Sequence, residues 1–457
     1  MSVLDVIYAK LPVYAQHMAV STYGVYWNWL RFGQGYERYL RGYLERELYT
    51  SENWKNWQAQ RLREILAGAL SAPYYAETWT ETQKIAARAG RLLELPLLEK
   101  DPLRMGPNKF LRMDIKPGRV LTFYTSGSTG TPIASIWTIP EYRDALALRE
   151  ARSARWAGVS FSLPRSTFSG RMVEPDPNSK GPFYRFNLVE RQVYFSPFHL
   201  RANTAKQYVS ALQKHNIRWG TGYAVSYYLL AKFMLEQGIA APQSLKAIVT
   251  TSEKLTPEMR NIMEKAYDCK VYEEYSTVEN ALFASECEYG SLHVSPDVSV
   301  VEILRPDGST CLPGEVGEVV TTVLSRAYQP LIRFRLGDLA AWDDAPCPCG
   351  RQMPVIREVV GRIEDVVIGP DGRQMVRFHG IFVDQPHIVE GQIIQETINR
   401  IRAKVVVSDG FGESDLKDIT NRIIQRLGDV QVVVEKVDSI PRTSAGKFKA
   451  VVSLLRK

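Results

Sequence analysis

Helical periodicity dominates the first hundred residues of the chain. Between residues 54 and 70, apolar or aromatic side chains recur close to every 3.6 residues, which predicts an amphipathic helix that Pro73 stops. An aromatic cluster accompanies these predicted helices, and we interpret it as packing between helices, with a ligand cavity as the alternative. Its members are Tyr23, Tyr26, Trp27, Trp29, Trp54 and Trp57.

From Pro96 onward, short β-branched runs alternate with helical segments. This alternation predicts an α/β domain with a largely parallel sheet. The predicted strands are 120–124, 133–139, 245–250 and 270–274, and the predicted helices are 141–156, 205–215 and 257–267. Two further runs, 298–304 and 317–323, flank a Pro-Asp-Gly turn and indicate a β-rich subregion.

The last hundred residues predict a separate, small α+β unit. A strand at 404–407, a helix at 414–427 and a strand at 431–437 follow a turn at 369–372. We therefore divide the chain into a large domain, 1–361, whose first 95 residues are mainly helical, and a small C-terminal domain, 362–457.

Composition narrows the class of protein. Hydrophobic residues make up 45% of the 457 and charged residues 23%, as in soluble globular proteins. No apolar run is long enough to span a membrane, Asp5 and Lys10 interrupt any signal peptide, and five sparse cysteines favour a reducing compartment. We therefore expect a cytoplasmic protein. The net charge of +7 is spread without a run of five basic residues, so nucleic acid binding is not expected.

A loop rich in glycine and hydroxyl side chains carries the sharpest local signal. Its glycines allow close backbone approach to a ligand, and its hydroxyls can donate to phosphate oxygens. No Lys-Ser/Thr follows the second glycine, so it is not a Walker loop, and we expect it to join two strands. The alternative is a polar hairpin loop. The loop comprises Thr125, Ser126, Gly127, Ser128, Thr129, Gly130 and Thr131, followed by Pro132.

Four downstream segments favour a ligand-binding role for that loop over a plain hairpin loop. Segment 275–279 places Glu279 after a strand, where a carboxylate can face a ligand. Segment 334–338 ends in Asp338 after a glycine turn, suited to accepting hydrogen bonds from ribose hydroxyls. Segment 361–365 stands at the domain boundary, and segment 441–447 ends in Lys447. Each alone is typical of an exposed turn, but their order and spacing together are specific.

This ordered set resembles the adenylate-forming superfamily of acyl-CoA ligases, aryl-acid ligases and carrier-protein-loading adenylation domains. Within it, the chain is most similar to the phenylacetate–CoA ligase branch and its capsule-biosynthesis-type relatives, because of segments 95–100 and 347–351 and the early helix that ends at 73–75. The resemblance extends from about residue 54 to the end, and residues 1–50 match no known pattern. It implies a C-terminal domain that swivels about a hinge at Glu364.

The resemblance also implies roles for individual residues. The 125–131 loop would hold the β- and γ-phosphates of ATP, and Glu279 would ligate Mg²⁺. Lys447 would stabilise charge on the α-phosphate and on the substrate oxyanion. The other implied contacts are Asp338 with the ribose, Arg335 and Arg362 near ribose and phosphate, Glu273, Glu274 and Tyr275 flanking the adenine, and Tyr223 bordering the acyl pocket.

The implied function is an AMP-forming ligase that adenylates a carboxylic acid. The branch and the aromatic residues of 219–228 favour an aromatic acid, with CoA as the default acyl acceptor. An amine, a carrier protein or another acceptor, and a non-carboxylate oxyanion as substrate, remain open, as does a homodimer. A non-catalytic nucleotide-binding protein is the alternative of another class.

Departures from the family pattern accompany the match. Ser276 and Val278 stand where glycine and a Thr or Ser are usual, and Ile133 and Ala450 stand where relatives often carry polar or basic residues. The hinge acid is Glu364 where Asp is more common. Because Glu279, Asp338, Arg362 and Lys447 are retained, these departures point to an unusual substrate or second step rather than to loss of catalysis.

Cysteines supply a second candidate site. Cys347 and Cys349 alone are a weak zinc signal, but Cys287 and His293 upstream complete a Cys₃His set, which is typical of structural Zn²⁺. Zinc in the corresponding region of some phenylacetate–CoA ligase relatives supports this interpretation. The alternative is reduced thiols and a polar histidine. Cys269 and Cys311 are expected to be buried as small apolar residues.

Overall fold

The computed structural model describes residues 3–125, 132–171, 173–176, 178–359, 367–375, 378–382, 385–438, 440 and 451–455. Short 3₁₀ helices occur at Leu92–Glu94, Pro107–Phe110, Pro197–His199 and Phe378–Phe382, and a π-helix at Arg149–Ala154. Helices α1 to α12 are Val3–Lys10, Val13–Phe32, Tyr36–Arg46, Ser51–Ala69, Pro73–Thr78, Glu81–Arg88, Lys100–Met105, Ile139–Leu148, Ala205–Lys214, Ala224–Gln237, Pro257–Tyr267 and Glu413–Leu427.

Strands dominate the middle and the end of the chain. In chain order β1 to β20 are Val120–Tyr124, Ala134–Thr138, Arg165–Phe168, Tyr184–Asn187, Gln192–Phe195, Trp219–Tyr223, Ala247–Thr251, Lys270–Ser276, Phe283–Glu286, Leu292–Val294, Ser299–Leu304, Gly317–Val323, Phe334–Asp343, Val355–Val359, Val367–Ile368, Gln374–Met375, Ile388–Thr397, Arg400–Val407, Gln431–Lys436 and Val451–Ser453.

The described N-terminal region is mainly helical, with one local difference from the predicted elements. Helix α4 ends at Ala69, and Pro73 begins α5 rather than stopping α4. Proline fits the first position of a helix, where no N–H donor is needed. The aromatic cluster also divides in two. Trp54 is buried, whereas Tyr23 and Trp29 on α2 are exposed.

Among the described residues, twelve strands form one mixed sheet in the order β11-β12-β13-β14-β10-β9-β8-β7-β6-β3-β5-β4. Strands β5, β3, β6, β7 and β8 are parallel, and every other neighbouring pair is antiparallel. The prediction of a largely parallel sheet is therefore wrong, because seven of the eleven neighbouring pairs are antiparallel. Helices α9, α10 and α11 supply the crossovers that parallel pairing needs, but no described helix lies between β8 and β14, so those strands pair antiparallel. The predicted β-rich subregion continues the same sheet.

The C-terminal unit has its own sheet and core. Strands lie in the order β19-β18-β17-β20, with α12 packed against them. Ile393, Ile401, Ile419 and Ile423 are fully buried in this core. The proposed boundary at 361/362 lies outside the described residues and stays a prediction.

Helix α2 covers the open edge of the large sheet at β4. The Phe186 N–H donates to His17 Nδ1 at 2.9 Å, and the Leu188 N–H donates to Ser21 Oγ at 3.1 Å. Burial lowers the pKa of His17, which keeps its ring neutral and able to accept. These side chains satisfy backbone donors that an uncovered edge strand would leave open to another chain. None of the described helices is long and apolar enough to cross a membrane.

Close packing at Gly24 generates a stability prediction. A Cβ there would lie 2.4 Å from Asn187 Oδ1, and the Asn187 amide is held by hydrogen bonds with Glu190 and the Val189 N–H. We expect Gly24→Ala to lower the free energy of unfolding by about 1–3 kcal/mol in urea titrations, although alanine favours helix formation. Gly380→Ala is the control, because the nearest atom to its Cβ is 4.0 Å away and the change should be neutral or slightly stabilising. Equal effects of the two substitutions would contradict the close packing of α2 on β4.

Candidate active site and metal centre

The glycine-rich loop begins and ends on a two-stranded hairpin. Strands β1 and β2 are antiparallel, so the prediction that the loop joins two strands is confirmed. At its base, the Thr125 N–H donates to Ile133 O at 3.1 Å and the Ile133 N–H donates to Thr125 Oγ1 at 2.9 Å. These two bonds close the loop. Its remaining predicted ligands, Ser126, Gly127, Ser128, Thr129, Gly130 and Thr131, lie outside the described residues.

Glu273 and Glu274 lie in β8 and both make internal contacts. Glu274 is buried and accepts hydrogen bonds from Arg149 Nε at 3.1 Å, from Thr251 Oγ1 at 3.2 Å and from Ser153. Arg149 and Ser153 belong to the π-helix, whose wide turn brings both to one carboxylate. Glu273 accepts from the Leu255 N–H at 3.3 Å, and burial raises the pKa of Glu273. Adenine contacts of these two residues stay a prediction.

Glu279 lies in a tight turn after β8. Asn280 has φ of +50°, its N–H donates to Thr277 O at 3.0 Å, and its Nδ2 donates to Ser325 Oγ at 3.2 Å. Glu279 itself is buried, and its carboxylate makes no hydrogen bond among the described residues. A carboxylate that no described donor engages is available to a hard cation such as Mg²⁺.

Arg326 joins the Glu279 turn to the strand that leaves the glycine-rich loop. Its guanidinium donates to Glu279 O at 2.7 Å, to Ser135 Oγ at 2.9 Å and to Ile136 O, and it lies 4.1 Å from the centre of the Trp137 ring. Burial lowers the pKa of Arg326 to about 10, so the group remains charged at neutral pH. A single cation thus fixes two motifs that are about 150 residues apart in the chain.

Asp338 and Tyr275 form a second contact between predicted ligands. Tyr275 Oη donates to Asp338 Oδ2 at 2.8 Å. Strand β13 carries Asp338 on an irregular stretch, where Gly337 has φ of +71° and the pairing with β12 shifts register. Such a bulge redirects a side chain out of the regular pleat. The predicted ribose and adenine ligands therefore lie together, 63 residues apart in sequence.

Arg335 and Tyr223 both contact other residues of the protein. Arg335 forms ion pairs with Glu318 and with Glu99 at 2.9 Å, so its guanidinium is already engaged by two carboxylates. Tyr223 is the last residue of β6, and its hydroxyl lies beside Gly170, where an added Cβ would come within 2.9 Å. The nucleotide contact of Arg335 and the acyl-pocket role of Tyr223 stay predictions. Arg362, Glu364 and Lys447 lie outside the described residues.

The four predicted zinc ligands come together in a compact cluster. The ligand atoms of Cys287, His293, Cys347 and Cys349 all lie within 4.8 Å of one another. Cys287 Sγ is 3.6 Å from Cys347 Sγ, and Cys349 Sγ is 3.3 Å from His293 Nε2. Tetrahedral Zn²⁺ with Zn–S bonds of about 2.3 Å places its ligand atoms roughly 3.5–3.8 Å apart, so the donor set and its spacing fit this ion.

The surroundings of the cluster also fit a structural metal site. His293 Nδ1 lies 3.2 Å from Met353 O, which directs Nε2 toward the cysteines. Burial would raise the pKa of Cys347, but hydrogen bonds from Ser291 and from the Cys349 backbone lower it. Burial raises the pKa of Cys287 to about 11. The cluster connects the β9–β10 hairpin with the loop between β13 and β14.

The same cluster contacts the N-terminal helices. Arg351 donates to Glu47 and to Glu288, each at 2.7 Å, and lies 4.5 Å from the centre of the Trp156 ring. Trp156 in turn donates to Glu47 at 3.0 Å and packs on His293. The sequence analysis missed Arg326, because an isolated arginine outside a charged run carries no distinguishing pattern. It included Arg351 only within segment 347–351 and gave it no positioning role.

Comparison with known proteins identifies relatives along the whole chain. The family described as the CapK C-terminal domain matches residues 368–454. The chain is 23% identical to Protein CapK of Staphylococcus aureus over 468 aligned positions, which cover 99% of this chain and 100% of that protein. It is 26% identical to the phenylacetate-coenzyme A ligase of Thermus thermophilus over 256 positions, covering 49% of this chain and 58% of that enzyme.

Solved structures show the same fold. A crystal structure of 2-hydroxyisobutyryl-CoA ligase with 2-HIB-AMP and CoA, in the thioesterification state, matches with a TM-score of 0.59 at 20% identity, covering 89% of this chain and 91% of that chain. A postadenylation-state structure of that ligase matches with a TM-score of 0.55 at 21% identity, covering 89% and 91%. The chain therefore has the fold of the adenylate-forming ligases. The predicted α/β class with a large N-terminal and a small C-terminal unit is confirmed, as is the resemblance to that superfamily.

The Cys₃His cluster generates a metal prediction. We expect elemental analysis to find about one zinc per chain, because four soft and borderline ligands at tetrahedral spacing favour Zn²⁺. Cys347→Ser should lose the metal and lower the unfolding temperature, whereas Cys269→Ser, which lies outside the cluster, should retain both. A native sample without zinc would contradict the prediction.

Proposed function

We propose that this protein adenylates a carboxylic acid with ATP and Mg²⁺ and transfers the acyl group to a nucleophile. The contacts of Arg326 carry this proposal, because they hold the strand after the glycine-rich loop against the Glu279 turn. The Tyr275–Asp338 hydrogen bond adds the third motif. Separate segments that meet in this way are typical of a nucleotide site and not of unrelated exposed turns.

Each residue in this proposal has a chemical role. Glu279 would hold Mg²⁺, which would neutralise phosphate charge when bound. Asp338 would accept from the ribose, and Tyr275, oriented by Asp338, would flank the adenine. Thr125 lies at the base of a loop whose hydroxyls and backbone would donate to phosphate oxygens. Lys447 would stabilise the charge that develops as the acid's oxygen attacks the α-phosphorus and pyrophosphate leaves.

An aromatic acid is the substrate we propose, with CoA as the acyl acceptor. The similar protein of Thermus thermophilus is named a phenylacetate-coenzyme A ligase, whereas the solved structure with the same fold is a 2-hydroxyisobutyryl-CoA ligase, so this fold accommodates different acids. Trp219 and Tyr227 are buried, with hydrogen bonds to Ser160 O and to Ser166, which makes them part of the core. Tyr223, at the end of the strand, is the residue we propose for the acyl pocket.

Two alternatives are kept because they make different predictions. Transfer to an amine or a carrier protein, or activation of a non-carboxylate oxyanion, would leave the first half-reaction with the same requirements at Glu279 and Lys447. A non-catalytic nucleotide-binding protein would bind ATP without forming an adenylate. Exchange of pyrophosphate separates these classes, since it reports the first step alone.

Substrate-dependent exchange of labelled pyrophosphate into ATP tests the proposal directly. Across a panel of aromatic, aliphatic and inorganic oxyanions, without CoA, we expect exchange with at least one aromatic acid. Lys447→Ala should lower that exchange by at least about 100-fold while ATP binding and the unfolding temperature stay unchanged, because the lysine acts on charge in the transition state. Lys417→Ala, on helix α12, is the matched control.

Three outcomes of that experiment would count against the proposal. Full exchange in Lys447→Ala would exclude the assigned role of that lysine. Exchange with an inorganic oxyanion alone would replace the carboxylic acid as substrate. ATP binding without exchange across the whole panel would favour the binding-protein alternative.

A further inference from the structure

Helix α2 carries an apolar strip on the face that points away from the protein. Its inner face is anchored by Gly24 and by the hydrogen bonds of His17 and Ser21 to the edge of β4. On the outer face, the exposed fractions are 71% for Tyr14, 67% for Met18, 57% for Val25 and 62% for Trp29. We call these four residues the α2 strip.

Helical geometry places the α2 strip along one line. The spacings of four, seven and four residues keep all four side chains on the same face over about 22 Å. An exposed helix normally turns polar side chains to water, and α2 does the reverse along this line. The contiguous apolar surface of the strip is roughly 500 Å², the size at which such patches mark interaction sites.

The spacing of the strip is also symmetric. The spacings between successive strip residues are four, seven and four, and they read the same in both directions along the helix. Two antiparallel copies of α2 would therefore place Tyr14 opposite Trp29 and Met18 opposite Val25. Along the helix, the centre falls between Ser21, which is bonded to the β4 edge, and Thr22, whose small exposed side chain permits close approach of two helices. Such self-complementarity is the requirement of a two-fold, isologous interface.

Charge and area support the same pairing. Arg31 is the one Lys, Arg, Asp or Glu residue among the 20 of α2, and it forms an ion pair with Glu190 at 2.6 Å. Two copies would therefore meet without repulsion between charged side chains. Complete burial of both strips would remove about 1,000 Å² from water, the area that an interface between proteins should clear. A basic helix face, which binding to anionic lipid requires, is absent from α2 in the described chain.

We propose that the α2 strip is the interface between two copies of this chain, paired antiparallel about a two-fold axis between Ser21 and Thr22. This pairing assigns a role to residues 1–50, for which the sequence offered none. It is independent of the proposed adenylation chemistry, because α2 contains none of the candidate site residues.

Sedimentation and light scattering of the full chain at micromolar concentration test this interface. We expect twice the chain mass for the native protein. Met18→Glu combined with Val25→Glu should give the mass of one chain with an unchanged unfolding temperature, since exposed positions contribute little to folding. Leu48→Glu combined with Met105→Glu is the control, because both side chains are more than 80% exposed, lie outside α2 and should leave the dimer intact.

Cross-linking tests the geometry of the pair. Thr22→Cys lies at the proposed axis and should form a covalent dimer under mild oxidation, whereas the exposed Thr78→Cys should not. A native protein that stays monomeric, a strip variant that stays dimeric, or equal cross-linking at both positions would overturn the proposal. So would a monomer that floats with phosphatidylcholine–phosphatidylglycerol vesicles and loses flotation in the strip variant.

Discussion

The buried guanidinium of Arg326 is the interaction on which the candidate site depends. It is 1% exposed, and it donates to the Glu279 carbonyl, to the Ser135 hydroxyl and to the Ile136 carbonyl. A hydrogen bond to a charged group contributes about 1.5–3 kcal/mol, so three of them make this arrangement resistant to local rearrangement. The Arg326 contacts hold Glu279 in place on a turn that lies outside the paired strands.

The Glu279 carboxylate accepts no hydrogen bond from any described donor. The positive charge of Arg326 acts on that carboxylate electrostatically without donating to it. The acid therefore stays available to a cation. Glu274, five residues earlier, differs from Glu279 because its carboxylate accepts four hydrogen bonds from other side chains. Its role is therefore structural.

Sequence alone predicted the elements that flank each motif and missed the contacts that join them. Strand 120–124 and helix 257–267 match the structure because their periodicity, their flanking turns and Pro257 are local signals. The mixed sheet was missed, since strand direction depends on the connections between strands and not on their composition. Arg326 was missed for a related reason. Its function arises from partners at Ser135 and Glu279, and nothing in its own neighbourhood along the chain records them. The Cys₃His set was predicted because ligand type is itself the signal.

A double-mutant cycle on the dependence of ATP affinity on Mg²⁺ tests the central claim, that Arg326 acts by positioning Glu279. Affinity for ATP would be measured at rising Mg²⁺ concentration in the native protein, Arg326→Lys, Glu279→Gln and the double variant, with circular dichroism to verify folding. We predict that Arg326→Lys weakens the Mg²⁺-dependent gain by about tenfold in the native background and has no further effect beside Glu279→Gln. The same tenfold loss in both backgrounds would show that Arg326 acts without Glu279 and would contradict the account.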